Sequence, residues 1–190
     1  MTSKLDISFH VHNDLWKARL KPYQKTIRNI LETAASEVVM PNANFSQEHS
    51  DWPGKFSDVA SSSKKNVDTS LRWYDKNPVF EIAVVLADDA FIKDLNSQYR
   101  GKNKATNVLS FPDEDFSITN NLGDIVLAFE TIEKEAREQE KTFRDHAGHL
   151  LVHGFLHLLG HDHMEEKEAL IMENKEIKIL KKLDINNPYL

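Results

Sequence analysis

The chain has 190 residues, which is room for a single domain. Its composition, 40% hydrophobic and 28% charged, is that of an ordinary globular protein and excludes a wholly disordered or collagen-like chain. The absence of cysteine excludes disulfides, thiolate nucleophiles and cysteine-based metal sites, so histidines and carboxylates must hold any metal. The net charge of −6 argues against a general polyanion binder that depends on bulk positive charge.

The hydropathy of the chain predicts a soluble protein that is not exported. Its longest unbroken apolar run, Ile82 to Ala87, is too short to cross a bilayer. Asp6 interrupts the N-terminus before any hydrophobic stretch that could act as a signal peptide. We therefore expect no membrane partner.

The first half of the chain predicts one strand, one helix and an insertion. Alternating apolar residues from Leu5 to Val11 are typical of a half-buried strand. After Pro22 the apolar positions from Ile27 to Val38 follow helical spacing, with the proline near the helix start. Residues 41–77 are rich in Ser, Asn, Asp and Lys and poor in aliphatic residues, which predicts a flexible insertion.

The second half predicts three more strands and four more helices. The helix from about residue 145 is apolar nearly all round apart from its histidines, so it must be buried. The strands are predicted at 79–86, 106–111 and 123–129, and the helices after the cap Asp88, at 131–141, from about 145 and at 165–183. These elements predict an α/β (α+β) fold. It is a single domain over residues 1–190 with one mixed four-stranded sheet packed against about five helices.

Six of the nine histidines fall between residues 146 and 163. His153 and His157 are four residues apart, so on a helix both rings project from one face and can reach one ion at about 2.0–2.1 Å. His149 continues this stripe, but a rise of about 1.5 Å per residue puts it roughly 12 Å from His157, too far to share that ion. We expect His149 to pack or hydrogen-bond near the site.

A third ligand must come from beyond the helix. Gly160 can adopt the left-handed conformation that ends a helix and turns the chain back, which brings His161, Asp162 or His163 toward the ion. The spacing from His153 to His163 is the one that zinc hydrolases with three histidine ligands use. We therefore predict that His153, His157 and His163 hold one Zn²⁺ ion at the end of the buried helix, with water in the fourth position.

An open fourth position distinguishes a catalytic zinc site from a closed structural one. The alternative is that these histidines are satisfied core residues or part of a structural metal site. A zinc peptidase of this spacing places a glutamate directly after the first histidine as general base, and this chain has Gly154 there. A glycine in place of this glutamate favours a phosphodiester substrate, because cleavage of a phosphodiester depends more on charge neutralisation than on that general base.

Two segments carry a resemblance to a known family. Residues 153–163 read HGFLHLLGHDH and residues 99–112 read YRGKNKATNVLSFP, with LGDI at 122–125. In this order they resemble the signatures of the YbeY-type bacterial endoribonucleases, also called rRNA maturation factors. The likeness runs from about residue 79 to 168. His161 stands where family members often have tyrosine, and the 41–77 stretch is longer than the family usually carries.

The resemblance implies a metal-dependent endoribonuclease that prefers single-stranded RNA. It implies action in the cytoplasm, in maturation of the small-subunit ribosomal RNA 3′ end and in ribosome quality control, with the ribosome or its small subunit as partner. It also implies metal ligation by the three histidines and a functional role for Arg100. A guanidinium can hold a phosphate through two hydrogen bonds and stabilise the charge that develops during cleavage. Lys102 and Lys104 are further candidates for contacts with the RNA backbone.

Two other functions remain compatible with the residues. One is a metallohydrolase that acts on another substrate, such as a peptide. The other is a ribosome-assembly binding module in which zinc only stabilises the fold. Within the nuclease hypothesis, the sequence also leaves the nucleophile open between metal-activated water and the ribose 2′-hydroxyl.

Overall fold

The computed structural model describes residues 4–38, 79–114 and 119–190, without the side chains of residue 14 and residues 17–23. The predicted insertion at 41–77 lies outside the described residues. Four strands and five helices form in the described parts, as predicted. They are β1 (Lys4–Val11), α1 (Asp14–Glu37), β2 (Val79–Ala87), α2 (Asp89–Arg100), β3 (Val108–Pro112), β4 (Asn121–Ala128), α3 (Phe129–Glu138), α4 (Phe143–Leu158) and α5 (Glu166–Lys182).

The four strands form one mixed sheet in the order β1-β2-β4-β3. Strand β2 pairs in parallel with β1 and with β4, whereas β3 pairs antiparallel with β4. The sheet is covered on both faces, which is why β2 and β4 are rich in apolar residues. The α+β architecture that the sequence predicts is therefore confirmed.

Two apolar clusters lie on opposite faces of the sheet. The larger cluster joins α1, α4 and α5 to one face, where Ile82, Val84 and Ile125 are buried. The smaller cluster packs α2 against the other face through Ile92, Leu109 and further small apolar residues. None of the helices in the described parts combines the length and the apolar character that crossing a bilayer requires.

Helix α1 begins at Asp14, so the prediction that it starts near Pro22 is wrong. Asn13 caps the helix, because its side-chain oxygen accepts a hydrogen bond of 2.8 Å from the backbone N–H of Leu15. Trp16 is buried and its Nε1 donates to the carbonyl of Ala87 at 2.8 Å. This tertiary anchor and the cap hold the turns that precede the proline.

Helix α4 lies against β3 and β4 because Gly154 has no side chain. A Cβ atom at Gly154 would lie 2.9 Å from Ser110 Oγ and 3.2 Å from Ile125 Cγ2, so a larger residue would force these side chains or the helix to shift. The close approach buries most of α4, as its apolar sequence predicts. It also fixes the backbone that carries the neighbouring His153.

Candidate metal centre

The C-terminal end of α4 brings three predicted ligands together. His153 and His157 lie one turn apart, and their Nε2 atoms are 3.1 Å from each other. Gly160 has φ +79°, and the N–H groups of Gly160 and His161 donate to the carbonyls of His157 and Leu156. This glycine turn returns the chain, and the ring centroid of His163 lies 5.3 Å from that of His153.

The three histidines can hold one metal ion. One ring nitrogen of each lies within 4.8 Å of those of the other two. Two nitrogens bound to zinc at about 2.0–2.1 Å in tetrahedral geometry lie about 3.3 Å apart, close to the 3.1 Å between His153 and His157. Neutral imidazoles are also the donors that Zn²⁺ prefers in a chain without cysteine. The residues therefore fit the predicted zinc ion.

The site opens from the helix toward solvent. His153 and His157 are half-buried, and His163 is exposed. Burial lowers the pKa of His157 to about 4, helped by repulsion from His153 and His163. His157 is therefore neutral near pH 7 and can offer a lone pair, as a metal ligand must.

Glu176 of α5 completes the site and was missed in the sequence. Its side chain is fully buried, and its Oε1 lies 2.8 Å from His153 Nδ1. Burial raises the pKa of Glu176, but hydrogen bonds from His149, His153 and Tyr189 outweigh burial and lower it to about 2. One signal was available, because Glu176 is the charged residue on the buried stripe of α5 that includes Met172, Ile179 and Leu180.

A second group of potential ligands shares His153 with the first. His149, His153 and Glu176 also bring three ligand atoms within 4.8 Å of one another. His149 Nε2 lies 3.1 Å from Glu176 Oε2, so the expectation that His149 hydrogen-bonds near the site is confirmed. Burial and the hydrogen bond to Glu176 raise the pKa of Tyr189, whose hydroxyl donates to the same oxygen.

A separate histidine–carboxylate pair lies near the start of α4. His146 is buried, and its Nε2 lies 2.7 Å from Glu135 Oε2 on α3. The same oxygen accepts a hydrogen bond of 2.9 Å from the side chain of Asn107, which precedes β3. Burial lowers the pKa of His146, although the bond to Glu135 opposes that shift. This pair connects α3, α4 and the start of β3.

Two residues of the glycine turn also have defined environments. Asp162 caps the turn, because its Oδ1 accepts a hydrogen bond of 2.7 Å from the backbone N–H of His163. His161 is half-buried. Its burial, with a contribution from Lys175, lowers its pKa to about 4. His161 is therefore neutral near pH 7, and in the chain it lies between the second and the third predicted ligand.

Arg100 lies on the other side of the edge strand β3 from the histidines. It is the exposed last residue of α2, which packs on the sheet face opposite to α4. The ring of Tyr99 contacts Phe111 of β3 at a centroid distance of 5.1 Å, whereas Ser110 of the same strand faces Gly154. A joint action of Arg100 and the histidines stays a prediction.

The fold and the site define a class: an α+β protein with a histidine site, at the end of a buried helix, that can hold a metal ion. The sequence profile of the endoribonuclease YbeY family matches residues 10–184. The chain belongs to this family, so the family resemblance predicted from the two motifs is confirmed.

Two relatives that share the family's name support this family assignment. The chain is 41% identical over 158 residues to "Endoribonuclease YbeY" of Sinorhizobium fredii, across 76% of this chain and 90% of the relative. It is 55% identical over 115 residues to the protein of the same name from Rhizobium etli, across 57% of this chain; the alignment spans 66% of that relative's length. The solution structure of TM1509 from Thermotoga maritima aligns over 94% of this chain and 92% of its own, with TM-score 0.47 and 19% identity.

Proposed function

We propose that this chain is a zinc-dependent, single-strand-specific endoribonuclease. We further propose that it acts in the cytoplasm, in maturation of the small-subunit ribosomal RNA 3′ end and in ribosome quality control. Membership of the endoribonuclease YbeY family supports the activity class. The names of the relatives at 41–55% identity support it as well.

The convergence of three histidine nitrogens within 4.8 Å of one another is the observation that carries this proposal. A zinc ion bound there would lower the pKa of water toward neutrality and would neutralise charge on a phosphate. His153, His157 and His163 hold it, and the exposure of His163 leaves the site within reach of a large substrate. A closed structural site needs four protein ligands instead.

The packing of α4 argues against the peptidase alternative. A peptidase of this spacing needs a carboxylate directly after His153 as general base. Gly154 occupies that position, and even a Cβ atom there would lie 2.9 Å from Ser110 Oγ. The helix face at residue 154 is turned against the sheet and cannot carry a base. A substrate whose cleavage depends on charge neutralisation fits this chain better.

The end of α2 offers a surface suited to single-stranded RNA. The basic side chains of Arg100, Lys102 and Lys104 are exposed, and the Tyr99 side chain is 61% exposed. Cationic side chains attract phosphates, and an exposed aromatic ring can stack on an unpaired base. Asn96 is buried and its side chain donates to the carbonyl of Lys104 at 2.8 Å, which holds this turn in place. We assign Arg100 the role of gripping the phosphate at which the strand is cut.

The test is cleavage of a single-stranded fragment from the 3′ end of small-subunit ribosomal RNA. The zinc-loaded protein should cut this fragment, lose activity with a chelator and regain it when zinc is returned. It should leave a duplex of the same sequence intact. Turnover of an unstructured peptide without RNA cleavage would favour the metallohydrolase alternative.

The variant Arg100→Ala separates an enzyme from a binding module. Because Arg100 is exposed and at a helix end, its loss should leave the fold and the zinc content unchanged. Cleavage should fall by about 10²-fold or more, the cost of one transition-state donor, and Arg100→Lys should restore only part of it. A binding module would have no activity to lose. A 2′,3′-cyclic phosphate on the product would identify the ribose 2′-hydroxyl as nucleophile.

A further inference from the structure

Glu176 is a charged side chain in the core, and three hydrogen-bond donors surround it. Its Oε1 faces His153 Nδ1 at 2.8 Å, and its Oε2 faces His149 Nε2 at 3.1 Å. The hydroxyl of Tyr189 donates to Oε2 as well. A buried carboxylate is costly unless such partners satisfy it, so the position of Glu176 calls for a function.

The hydrogen bonds determine where the proton of His153 lies. An ionised carboxylate can only accept, so the His153 nitrogen that faces it, Nδ1, must be the one that carries a proton. The lone pair is then on Nε2, the atom that faces His157 Nε2 at 3.1 Å. The opposite tautomer would leave Oε1 of Glu176 without its donor and His153 Nε2 without a lone pair at the metal centre.

We propose that Glu176 is a positioning residue that fixes His153 in the Nδ1–H tautomer and aims its Nε2 lone pair at the metal centre. The inference rests on the proposed zinc site, because His153 must be a ligand for the tautomer to matter. A carboxylate that accepts from the distal nitrogen of a ligand histidine also raises the basicity of that ligand. Tyr189 and His149 in turn hold Glu176, which connects the C-terminal segment to the site.

The shared group of His149, His153 and Glu176 offers a different position for the ion. Both oxygens of Glu176 already accept hydrogen bonds, and its side chain has no exposure. An ion there would have to displace protons from His153, His149 and Tyr189, whereas His163 would contribute nothing. If His149→Ala lost zinc and His163→Ala kept it, the ion would occupy this second group and the proposal would be overturned.

The principal experiment measures zinc affinity by competition with a chromophoric chelator. Glu176→Gln keeps the shape of the side chain but removes its negative charge and replaces one of its two acceptor oxygens with an NH₂ donor, so the amide cannot accept from both His153 and His149. We expect the dissociation constant for zinc to rise by about 10- to 100-fold, the usual cost of losing such a partner. Glu176→Asp keeps the carboxylate and should recover part of this loss. An unchanged constant in Glu176→Gln would contradict the proposal.

Glu135→Gln is the matched control. It removes the carboxylate of the other histidine pair on α4, whose histidine, His146, is not a predicted ligand. This variant should keep the zinc affinity of the unmodified protein, whatever its effect on stability. An equal loss of affinity in Glu135→Gln and Glu176→Gln would mean that general loosening of α4 explains both, and would overturn the assignment.

A spectroscopic measurement tests the tautomer without zinc. Two-bond ¹H–¹⁵N correlations of the imidazole rings report which nitrogen of His153 carries the proton. We expect the Nδ1–H tautomer in the metal-free protein, and a shift of that signal in Tyr189→Phe, which removes one donor from Glu176. Observation of the Nε2–H tautomer would refute the proposal. Failure of the unmodified protein to bind zinc would instead count against the proposed function, so the two failures are distinguishable.

Discussion

Two of the histidine–carboxylate pairs on helix α4 differ in which partner is buried. In the His146–Glu135 pair the histidine side chain is 3% exposed and the carboxylate 28%. In the His153–Glu176 pair the order is reversed, with 23% for the histidine and 0% for the carboxylate. The first pair gives one nitrogen of a buried histidine a partner. The second pair places a carboxylate in the core, where it bonds to a histidine that reaches the surface.

The free-energy cost of burying each partner indicates the role of each pair. A neutral imidazole costs less to bury than an ion, even though His146 Nδ1 has no hydrogen-bond partner among the described residues, and Glu135 stays in contact with water. An ionised carboxylate is expensive to bury, so Glu176 is retained together with three donors. A negative charge beside one nitrogen of an imidazole ring favours a positive charge at the other nitrogen. The comparison therefore points to a cation at His153 and to none at His146.

The largest effect should come from removing a predicted ligand. His157→Ala leaves only two imidazoles at the centre, so we expect zinc to be lost during gel filtration, with metal content falling from about one ion per chain to near zero. His146→Asn, on the same helix, should retain zinc. Elemental analysis of both variants checks this expectation. Full zinc content in His157→Ala would break the distinction between the two pairs.

A smaller effect separates two glycines of α4. A Cβ atom at Gly148 would lie 2.7 Å from Ile185 Cδ1, the far end of a flexible side chain. At Gly154 it would lie 2.9 Å from Ser110 Oγ and 3.2 Å from Ile125 Cγ2, side-chain atoms that are only two bonds from the sheet backbone. Gly154→Ala should lower the free energy of unfolding by about 1–3 kcal/mol through overpacking, less the gain of up to about 1 kcal/mol in helix propensity. It should also weaken zinc binding, because it moves the backbone of His153.

Gly148→Ala is the control for this substitution. The side chain of Ile185 can move aside, so we expect a smaller loss of stability than in Gly154→Ala and no change in zinc affinity. Denaturant titration with and without zinc measures both quantities. Equal stability losses in the two variants, with equal zinc affinities, would show that the approach of α4 to the sheet does not position His153.

The smallest effect concerns the pH dependence of stability. Burial lowers the pKa of His146 below its ordinary value of 6.5. Between 6.5 and the lower value, the unfolded chain binds a proton that the folded chain does not, so acidification in that window destabilises the fold. Replacing His146 with Asn should flatten the decline of the unfolding free energy below pH 6.5. A steeper decline in the variant would contradict this sign.

Periodicity and short motifs predicted most of the fold and three ligands. Apolar spacing places the elements, because each helix or strand buries a face that repeats locally. The three histidines and Gly160 lie within eleven consecutive residues, so their geometry follows from one helix and one turn. The position of Arg100 relative to the histidines could not be predicted from these patterns, since it depends on how α2 and α4 pack on opposite faces of the sheet.

The features that sequence reasoning missed depend on tertiary contacts. Glu176 reaches His153 from another helix, 23 residues away in the chain. The early start of α1 depends on the bond from Trp16 to Ala87, 71 residues away. Local patterns carry no record of such contacts, but a carboxylate on the buried stripe of α5 was a visible exception. A charge on an otherwise buried helix stripe is therefore a useful sign of a site.

X-ray absorption spectroscopy of the zinc-loaded protein tests the central claim most directly. The number of imidazole rings around the ion distinguishes the two candidate groups that share His153. The account predicts three imidazoles, from His153, His157 and His163, and no carboxylate of the protein. A shell of two imidazoles and a carboxylate would place the ion at His149, His153 and Glu176 and would contradict it.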